Sequence, residues 1–442
     1  MIYNIIKFLL TINFKFVFKQ VREINKKNMP KKGPLFVACN HVNAFIDPLM
    51  VGKYHSGNFW FVARGDAFKN KTAAWWLNKM HILPIHRKED DADSTIKNEG
   101  AMRNIINKMV SGERVIIYPE GICVQERRLR KLRKGTARMA FTAEEDANFK
   151  LNSKIICAGL NYNRPNQFGA DIDIVYGTPF DVSEYEDLYK ADANKAMIAL
   201  TQRMQNELSD LMLIVNDKQD DELFNILDEM LIEDLAKKEQ ITKAELERKF
   251  KLRKNLATRI NNLADKHTDK AIELREYAKK YCSLLKQNNL RDWVIKTKNE
   301  FGILQLCLFI FTFSITLPLF LFGLVHHYFQ YIGAYKLAKK AAKNVEFFSS
   351  VNYNAGMFLV LISYMLFFSI ALAIGGFSYC TLAYILLVPI SGIFTHFFSI
   401  YLKKFRGRLR FNSIKNTTTA KQIIEARNVL KNNALDYLDY TR

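Results

Sequence analysis

Residues 35–48 read LFVACNHVNAFIDP. Five small or apolar residues, Leu35 to Cys39, have the length and composition of a strand buried on both faces, and polar groups follow at its end. The same grammar recurs on either side: FWFVAR at 59–64, RVIIYPEG at 114–121, KIICAGLNY at 154–162 and DIDIVYG at 171–177. Between these runs lie segments with helical spacing, notably 94–111 and 131–145. Short β-branched runs alternating with helices predict an α/β domain over 31–182, a mixed sheet flanked by helices.

The polar groups at the strand ends are the candidate chemistry. His41 follows the first run with Asp47 close behind, and a His beside a carboxylate suggests a general base and the group that orients it. Imidazole suits that task because its ordinary pKa lies near neutrality, and a carboxylate on the far nitrogen fixes the tautomer. On an ideal helix, ~100° per residue does not return positions 41 and 47 to one face, so a turn has to bring them together. The run ILPIHR at 82–87 ends in Arg87, whose planar fork of donors fits a phosphate, or else pairs with Glu89, Asp90 or Asp91. In RVIIYPEG the strand runs into Glu120 and Gly121, where Gly permits close backbone approach and Glu can hold a hydroxyl or a cation. Arg127, Arg128, Arg130, Lys131, Arg133, Lys134 and Arg138 come next, with Gly135 and Thr136 opening a helix. That cluster is either an anion-binding surface for donor phosphates or lipid headgroups, or a solvated charge run.

Taken in order, Asn-His then Asp-Pro, Pro-Ile-x-Arg, and Tyr-Pro-Glu-Gly with a following Lys-Gly-Thr resemble the glycerophosphate and lysophosphatidate acyltransferase superfamily. The wording NHVNAFIDPL, VARGDAF, LRKGTARMAF and GLNYNRPNQFGADIDIVYGTPF looks like its glycerol-3-phosphate acyltransferase branch, which includes fungal dual-substrate enzymes. The likeness covers 34–182 and, more faintly, 273–292. It implies His41 as base, Asp47 as its partner, and Arg87 on the acceptor phosphate. It also implies Asn40, Glu120 and Gly121 at the acceptor site, with Arg130, Lys134, Gly135 and Thr136 as donor or headgroup contacts. Cys123 stands where the family commonly has Ser, and five residues rather than four separate His41 from Asp47, as in the branch named. Implied with it is direct transfer of a fatty acyl group from acyl-CoA or acyl-carrier protein to glycerol 3-phosphate, without an acyl-enzyme, cofactor or metal. The alternatives are 1-acylglycerol 3-phosphate as acceptor, or an inactive lipid-binding scaffold that keeps the fold.

Outside this domain the composition changes. Residues 183–299 contain neither Gly nor Pro and carry long amphipathic, charged stretches, which predicts a helical region. Phe301 to Val325 holds no charge, and a second uncharged tract runs from Asn352 to Leu402 with Gly375 and Gly376 near its middle. At about 1.5 Å per residue the first tract can cross a hydrocarbon core of roughly 30 Å. Pro318 and Gly323 leave both a full span and a re-entrant segment open, while the second tract fits a spanning hairpin. Lys336, Lys339, Lys340 and Lys343, with Lys403, Lys404, Arg406, Arg408 and Arg410, place those flanks and the catalytic domain in the cytoplasm by the positive-inside rule. Membrane segments are thus expected within 300–402 and a basic tail at 403–442. Residues 1–30 are expected to form an interfacial helix, a core helix being the alternative.

Net charge is +21, from 65 Lys plus Arg against 44 Asp plus Glu, which favours anionic partners. No nucleic-acid module is recognisable, and the 33 Phe concentrate in the apolar tracts, so membrane lipid is the expected partner and nucleic acid is not. Six scattered cysteines without a CxxC pair suggest neither a disulfide framework nor a zinc site.

Overall fold

The computed structural model describes residues 7, 8, 11, 14, 17–53, 59–85, 94–165, 167, 169–296, 302–342 and 344–440. They form two compact units, Met1–Ile214 with Asn344–Ser350, and Val215–Lys343 with Val351–Arg442.

The first unit is built on eight strands: β1 (Phe18–Ile24), β2 (Leu35–Cys39), β3 (Phe59–Arg64), β4 (Ile82–Ile85), β5 (Arg114–Ile117), β6 (Lys154–Tyr162), β7 (Ala170–Tyr176) and β8 (Phe180–Asp181). Their order is β1-β7-β6-β2-β5-β3-β4, with β8 also paired to β6. β2 is central and runs parallel to both neighbours, Ala38 lying opposite Ile117 of β5 and Cys157 of β6. β7 turns back antiparallel to β6, and β1 lies parallel to β7 at the edge. All five β2 residues are buried, as a parallel strand covered on both faces requires.

Helices α1 (Ile46–Lys53), α2 (Lys71–Lys79), α3 (Ser94–Val110), α4 (Gly135–Asp146), α5 (Glu186–Ala191) and α6 (Ala193–Leu211) complete the layers. One core gathers Phe36 and Ala38 of β2, Val115 and Ile117 of β5, Ile105 and Met109 of α3, and Ala140 and Phe141 of α4. To it α6 adds Ala196, Leu200, Met204 and Leu208, a stripe at four-residue spacing along one helical face. The contact is tight: a Cβ on Gly159 would lie 2.1 Å from the Leu211 carbonyl oxygen. Asn161 fixes the same junction, donating to Leu211 O at 2.9 Å and accepting from Leu213 N at 2.7 Å.

The sheet unit therefore differs from the expected 31–182 at both ends. Residues 18–24, inside the stretch expected as an interfacial helix, pair as β1 with β7, where Arg22 is bonded to Asp173. Residues 1–6, 9, 10, 12, 13, 15 and 16 lie outside the described residues. At the other end the unit runs to Ile214 rather than stopping at Val182, because α6 closes the apolar core.

The second unit is helical: α7 (Asp220–Lys238), α8 (Leu246–Lys266), α9 (Thr268–Gln287), α10 (Asp292–Lys296), α11 (Ile303–Ala341), most of α12 (Val345–Gly375), α13 (Tyr379–Ile414) and α14 (Thr418–Tyr437). Three of these, α11, α12 and α13, are long and apolar enough to cross a membrane. α11 continues unbroken through Pro318 and Gly323, so it does not turn back as a re-entrant segment would. Gly323 instead serves packing, since a Cβ there would meet Thr395 Oγ1 of α13 at 2.3 Å. Nor is 403–442 a tail. α13 carries the chain on to Ile414, and α14 buries Ala420, Ile423, Leu430 and Ala434. Arg427 of α14 makes a two-pronged pair with Asp292, Nε to Oδ1 at 2.7 Å and Nη2 to Oδ2 at 3.1 Å, and Tyr281 donates to the same carboxylate at 2.7 Å. A cation buried in this way needs its partner, because either charge alone would be uncompensated.

Between Tyr379 and Lys404 the helix rises about 38 Å, enough to cross a bilayer. Single cysteines at Phe377, which is 94% exposed before α13, and at Lys404 are expected to react with an impermeant maleimide from opposite sides of sealed vesicles. Labelling of both from one side would show that α13 does not span.

Candidate active site

Three neighbouring parallel strands, β5, β2 and β6, bring their carboxyl ends to one edge of the sheet, and the expected residues lie there. The connection from β2 runs past β5 to β3 and the connection from β5 runs back past β2 to β6, opposite directions along the sheet, and such a crevice at strand carboxyl ends is where open α/β folds bind ligands. β2 ends in Asn40-His41, β5 in Tyr118-Pro119-Glu120-Gly121, and β6 in Tyr162.

Asp47 organises the first of these. It sits in the opening turn of α1, where a carboxylate complements the helix dipole and Pro48 removes an N–H that has no helical partner anyway. Its side chain is fully buried and accepts four hydrogen bonds. Oδ2 takes His41 Nδ1 at 2.9 Å, Val42 N at 2.7 Å and Asn43 N at 2.7 Å, and Oδ1 takes the Tyr162 hydroxyl at 2.6 Å. Oδ2 is thus crowded with three donors and Oδ1 holds one, so the carboxylate is bonded through both oxygens. The separation between positions 41 and 47 is thereby closed by a turn wrapped around the carboxylate, as the spacing demands. An ionised carboxylate accepts only, so His41 carries its proton on Nδ1 and presents the Nε2 lone pair. The imidazole is further fixed by stacking on Tyr118, ring centres 3.9 Å apart and planes 17° from parallel. Burial, then the Asp47 charge, pushes the Tyr162 phenol well above its ordinary pKa, which keeps it a donor.

Asn40 and Glu120, both expected to meet the acceptor, are engaged within the protein. Asn40 is buried and pairs with the Leu160 backbone, accepting from its N–H at 2.7 Å and donating to its carbonyl at 3.1 Å, so it braces β2 to β6. Glu120 accepts the backbone N–H of His41 at 3.1 Å through Oε1 and that of Arg130 at 3.2 Å through Oε2. It links the His41 turn to the basic segment. Burial raises the Glu120 pKa, outweighing the opposing pull of those two N–H groups. Gly121 has φ +72°, and a Cβ there would lie 2.9 Å from Arg133 Nε, so the turn needs glycine in order to pack against that guanidinium.

Of the expected donor contacts, Arg130 is exposed and reaches Glu126 at 3.3 Å, and Lys134 donates to Asn194 at 2.9 Å. Gly135 opens α4 with open space around its Cα, and Thr136 is buried with its hydroxyl unpaired. Arg87, expected on the acceptor phosphate, lies outside the described residues, as does the rest of 86–93. Among the described residues no three His, Cys, Asp or Glu side chains are grouped to hold a metal. Tyr162 and Tyr118 were not among the expected site residues, though both end quoted strand runs where a polar ring can reach the crevice.

With this geometry in place, comparison with known proteins bears on the same stretch. Residues 20–157 match the family model described as Acyltransferase. That acyltransferase segment contains His41, Asp47, Glu120 and Gly121 and stops short of Tyr162. The chain is 23% identical over 283 residues to an uncharacterized acyltransferase of Schizosaccharomyces pombe, covering 45% of this chain and 42% of that protein. It is 29% identical over 112 residues to the 1-acyl-sn-glycerol-3-phosphate acyltransferase of Bacillus subtilis, covering 24% of this chain and 50% of that one. The crystal structure of the 1-acyl-sn-glycerophosphate acyltransferase of Thermotoga maritima aligns with a TM-score of 0.34 at 16% identity, over 47% of this chain and 79% of that chain. The chain thus spans half or less of the length of the curated relatives it matches.

Two outcomes test the arrangement around Asp47 and Glu120 without any substrate. Tyr162→Phe leaves Asp47 Oδ1 buried and unpaired, which should cost about 1–3 kcal/mol in a denaturant titration; an unchanged midpoint would show that the bond contributes nothing. Glu120→Gln tests the raised carboxyl. Folding favours its protonated form, so its contribution is complete below the ordinary carboxylate range and is lost as pH rises through the raised value. Wild type should lose stability relative to the glutamine variant as pH climbs through that window, and parallel stability curves would contradict it.

Proposed function

We propose that the protein is a membrane-bound O-acyltransferase of glycerophospholipid synthesis, with glycerol 3-phosphate as acceptor and acyl-CoA or acyl-carrier protein as donor. The observation carrying this reading is the imidazole held through Nδ1 by a buried carboxylate at the convergent ends of parallel strands. Nε2 of His41 takes the proton of a glycerol hydroxyl as its oxygen attacks the thioester carbonyl. The tetrahedral adduct collapses, the C–S bond breaks, and the imidazolium returns its proton to the departing thiolate. Asp47 stabilises the imidazolium throughout and is itself never protonated. No acyl-enzyme is needed, because base and acceptor meet the donor directly.

Acceptor choice rests on the wording of the motifs, which favours glycerol 3-phosphate. The Bacillus subtilis relative supports a second reading, 1-acylglycerol 3-phosphate as acceptor, by its name. Both acceptors carry a phosphate monoester suited to Arg87, and the donor's phosphates suit Arg130, Lys134 and the start of α4 at Gly135, with Thr136 buried behind them. The catalytic domain is assigned to the cytoplasmic side from the flanking Lys and Arg residues. An inactive scaffold is disfavoured, because a scaffold has no use for an oriented imidazole with a free lone pair.

Purified full-length protein in nanodiscs, supplied with acyl-CoA or acyl-carrier donors, decides among glycerol 3-phosphate, dihydroxyacetone phosphate and lysophosphatidate. Turnover with glycerol 3-phosphate is expected, falling at least ~10³-fold in His41→Ala while membrane attachment is kept; general-base assistance alone is commonly worth 10²–10⁴-fold. Turnover only with lysophosphatidate would move the assignment to the second reading, and acylation of none would remove it.

A further inference from the structure

The His41 turn is held from inside by Asp47, yet two of its backbone donors face the other way. Ala44 N points to the Glu346 carbonyl at 3.5 Å, and Phe45 N donates to Ser350 Oγ at 3.1 Å. Both partners lie in 344–350, the segment that belongs to the first unit although more than 160 positions separate it from β8 in the chain. Ser350 is fully buried. Side chains close the rest of the contact. Gln125 Nε2 donates to Asn43 Oδ1 at 3.0 Å and reaches the Val345 carbonyl at 3.5 Å. Asn43 Nδ2 and Ser349 Oγ both donate to the Pro165 carbonyl, at 3.5 and 3.0 Å. Phe45 meets Phe347 edge to face, ring centres 6.0 Å apart.

Val345 to Ser350 is also the start of α12, one of the helices long and apolar enough to cross a membrane. We propose that the opening turns of this helix are a positioning device for the catalytic turn, with Ser350 and Gln125 as positioning residues that act through His41 and Asp47. This rests on the acyltransfer reading given above. The physical case is one of constraint. The excursion from His41 to Phe45 belongs to no strand or helix, and of its backbone N–H groups Asp47 satisfies only Val42 and Asn43. The outer half, Ala44 and Phe45, takes its geometry from 344–350. Reaction rates respond steeply to such placement, since shifts of about 1 Å can cost ~10²-fold.

The test uses full-length protein in nanodiscs. Ser350→Ala should lower kcat about tenfold with KM for donor and acceptor within about twofold of wild type, and with the thermal midpoint lowered by no more than a few degrees, the cost of one N–H left without its acceptor. Ser350→Thr, which restores the hydroxyl, should recover most of kcat. In a His41→Ala background Ser350→Ala should have no further effect, because the group it positions is gone. Amide hydrogen exchange should quicken in the peptide spanning 41–47 and nowhere else in the first unit. Should Ser350→Ala fail to fold, Gln125→Ala, at a half-buried position, reads out the same turn. Wild-type kcat with unchanged exchange at 41–47 would overturn the proposal while leaving acyl transfer standing, as would an equal loss in the His41→Ala background. Wild-type protein inactive on every acceptor would remove the acyltransfer reading, and the exchange measurement would still decide whether 344–350 holds the turn.

Discussion

A buried carboxylate held through both oxygens is a rigid object, and Asp47 is one. Four donors from three places, the His41 ring, the backbone of the turn and the Tyr162 hydroxyl at the end of β6, converge on a side chain with no solvent contact. Removing any one would leave a charged acceptor short of a partner in a dry setting, where the penalty is largest. The imidazole tautomer, the shape of the turn and the start of α1 are consequences of meeting that demand. Glu120 repeats the device on a smaller scale, tying the backbone of His41 to that of Arg130. Both carboxylates hold the site together from behind, and the imidazole edge remains on the open side.

The sheet makes this possible by its parallel centre. Because β5, β2 and β6 all point the same way, their ends deliver Glu120, His41 and Tyr162 to one edge, and the apolar stretches behind them are buried on both faces. The Asn40 bracket on Leu160 and the absence of a side chain at Gly159 keep β2, β6 and α6 in register close to that edge. Apolar burial fixes the platform, and hydrogen bonds to charged groups fix the chemistry on top of it.

How much of this could be read beforehand depended on the kind of signal. Short runs of mostly apolar residues, LFVAC, FWFVAR, RVII and KIICAGLNY, are β2, β3, β5 and β6, since so short an apolar run between polar stretches fits a covered strand. β1 was not legible: FKQVREI sets its apolar residues Phe18, Val21 and Ile24 three apart, a helical spacing, and only its pairing with β7 makes it a strand. The limit at Val182 failed because α6 is amphipathic like the helices that follow it, and composition does not say which core a stripe of Leu and Met joins. The basic run after 403 suggested solvent, whereas Arg427 is matched by an Asp more than a hundred positions earlier. At the site, the His and Asp were found because their types are chemically suggestive. Asn40 and Glu120 were also found, but with their partners unknown they were assigned outward instead of inward. Tyr162 was missed, since nothing local distinguishes a phenol that caps a carboxylate from one that fills a core.

The first unit is discontinuous, and that has a consequence for biogenesis. Phe45 and the Ser350 hydroxyl that receives its N–H are 305 positions apart. Ribosomes add roughly 5–20 residues per second, so the turn emerges roughly 15–60 s before its outer partner exists. In that interval α11, long and apolar enough to cross a membrane, has been made. The nascent sheet can therefore fold early, but the edge that carries His41 is finished only after this apolar helix has emerged. Maturation is thereby ordered in time by the direction of translation.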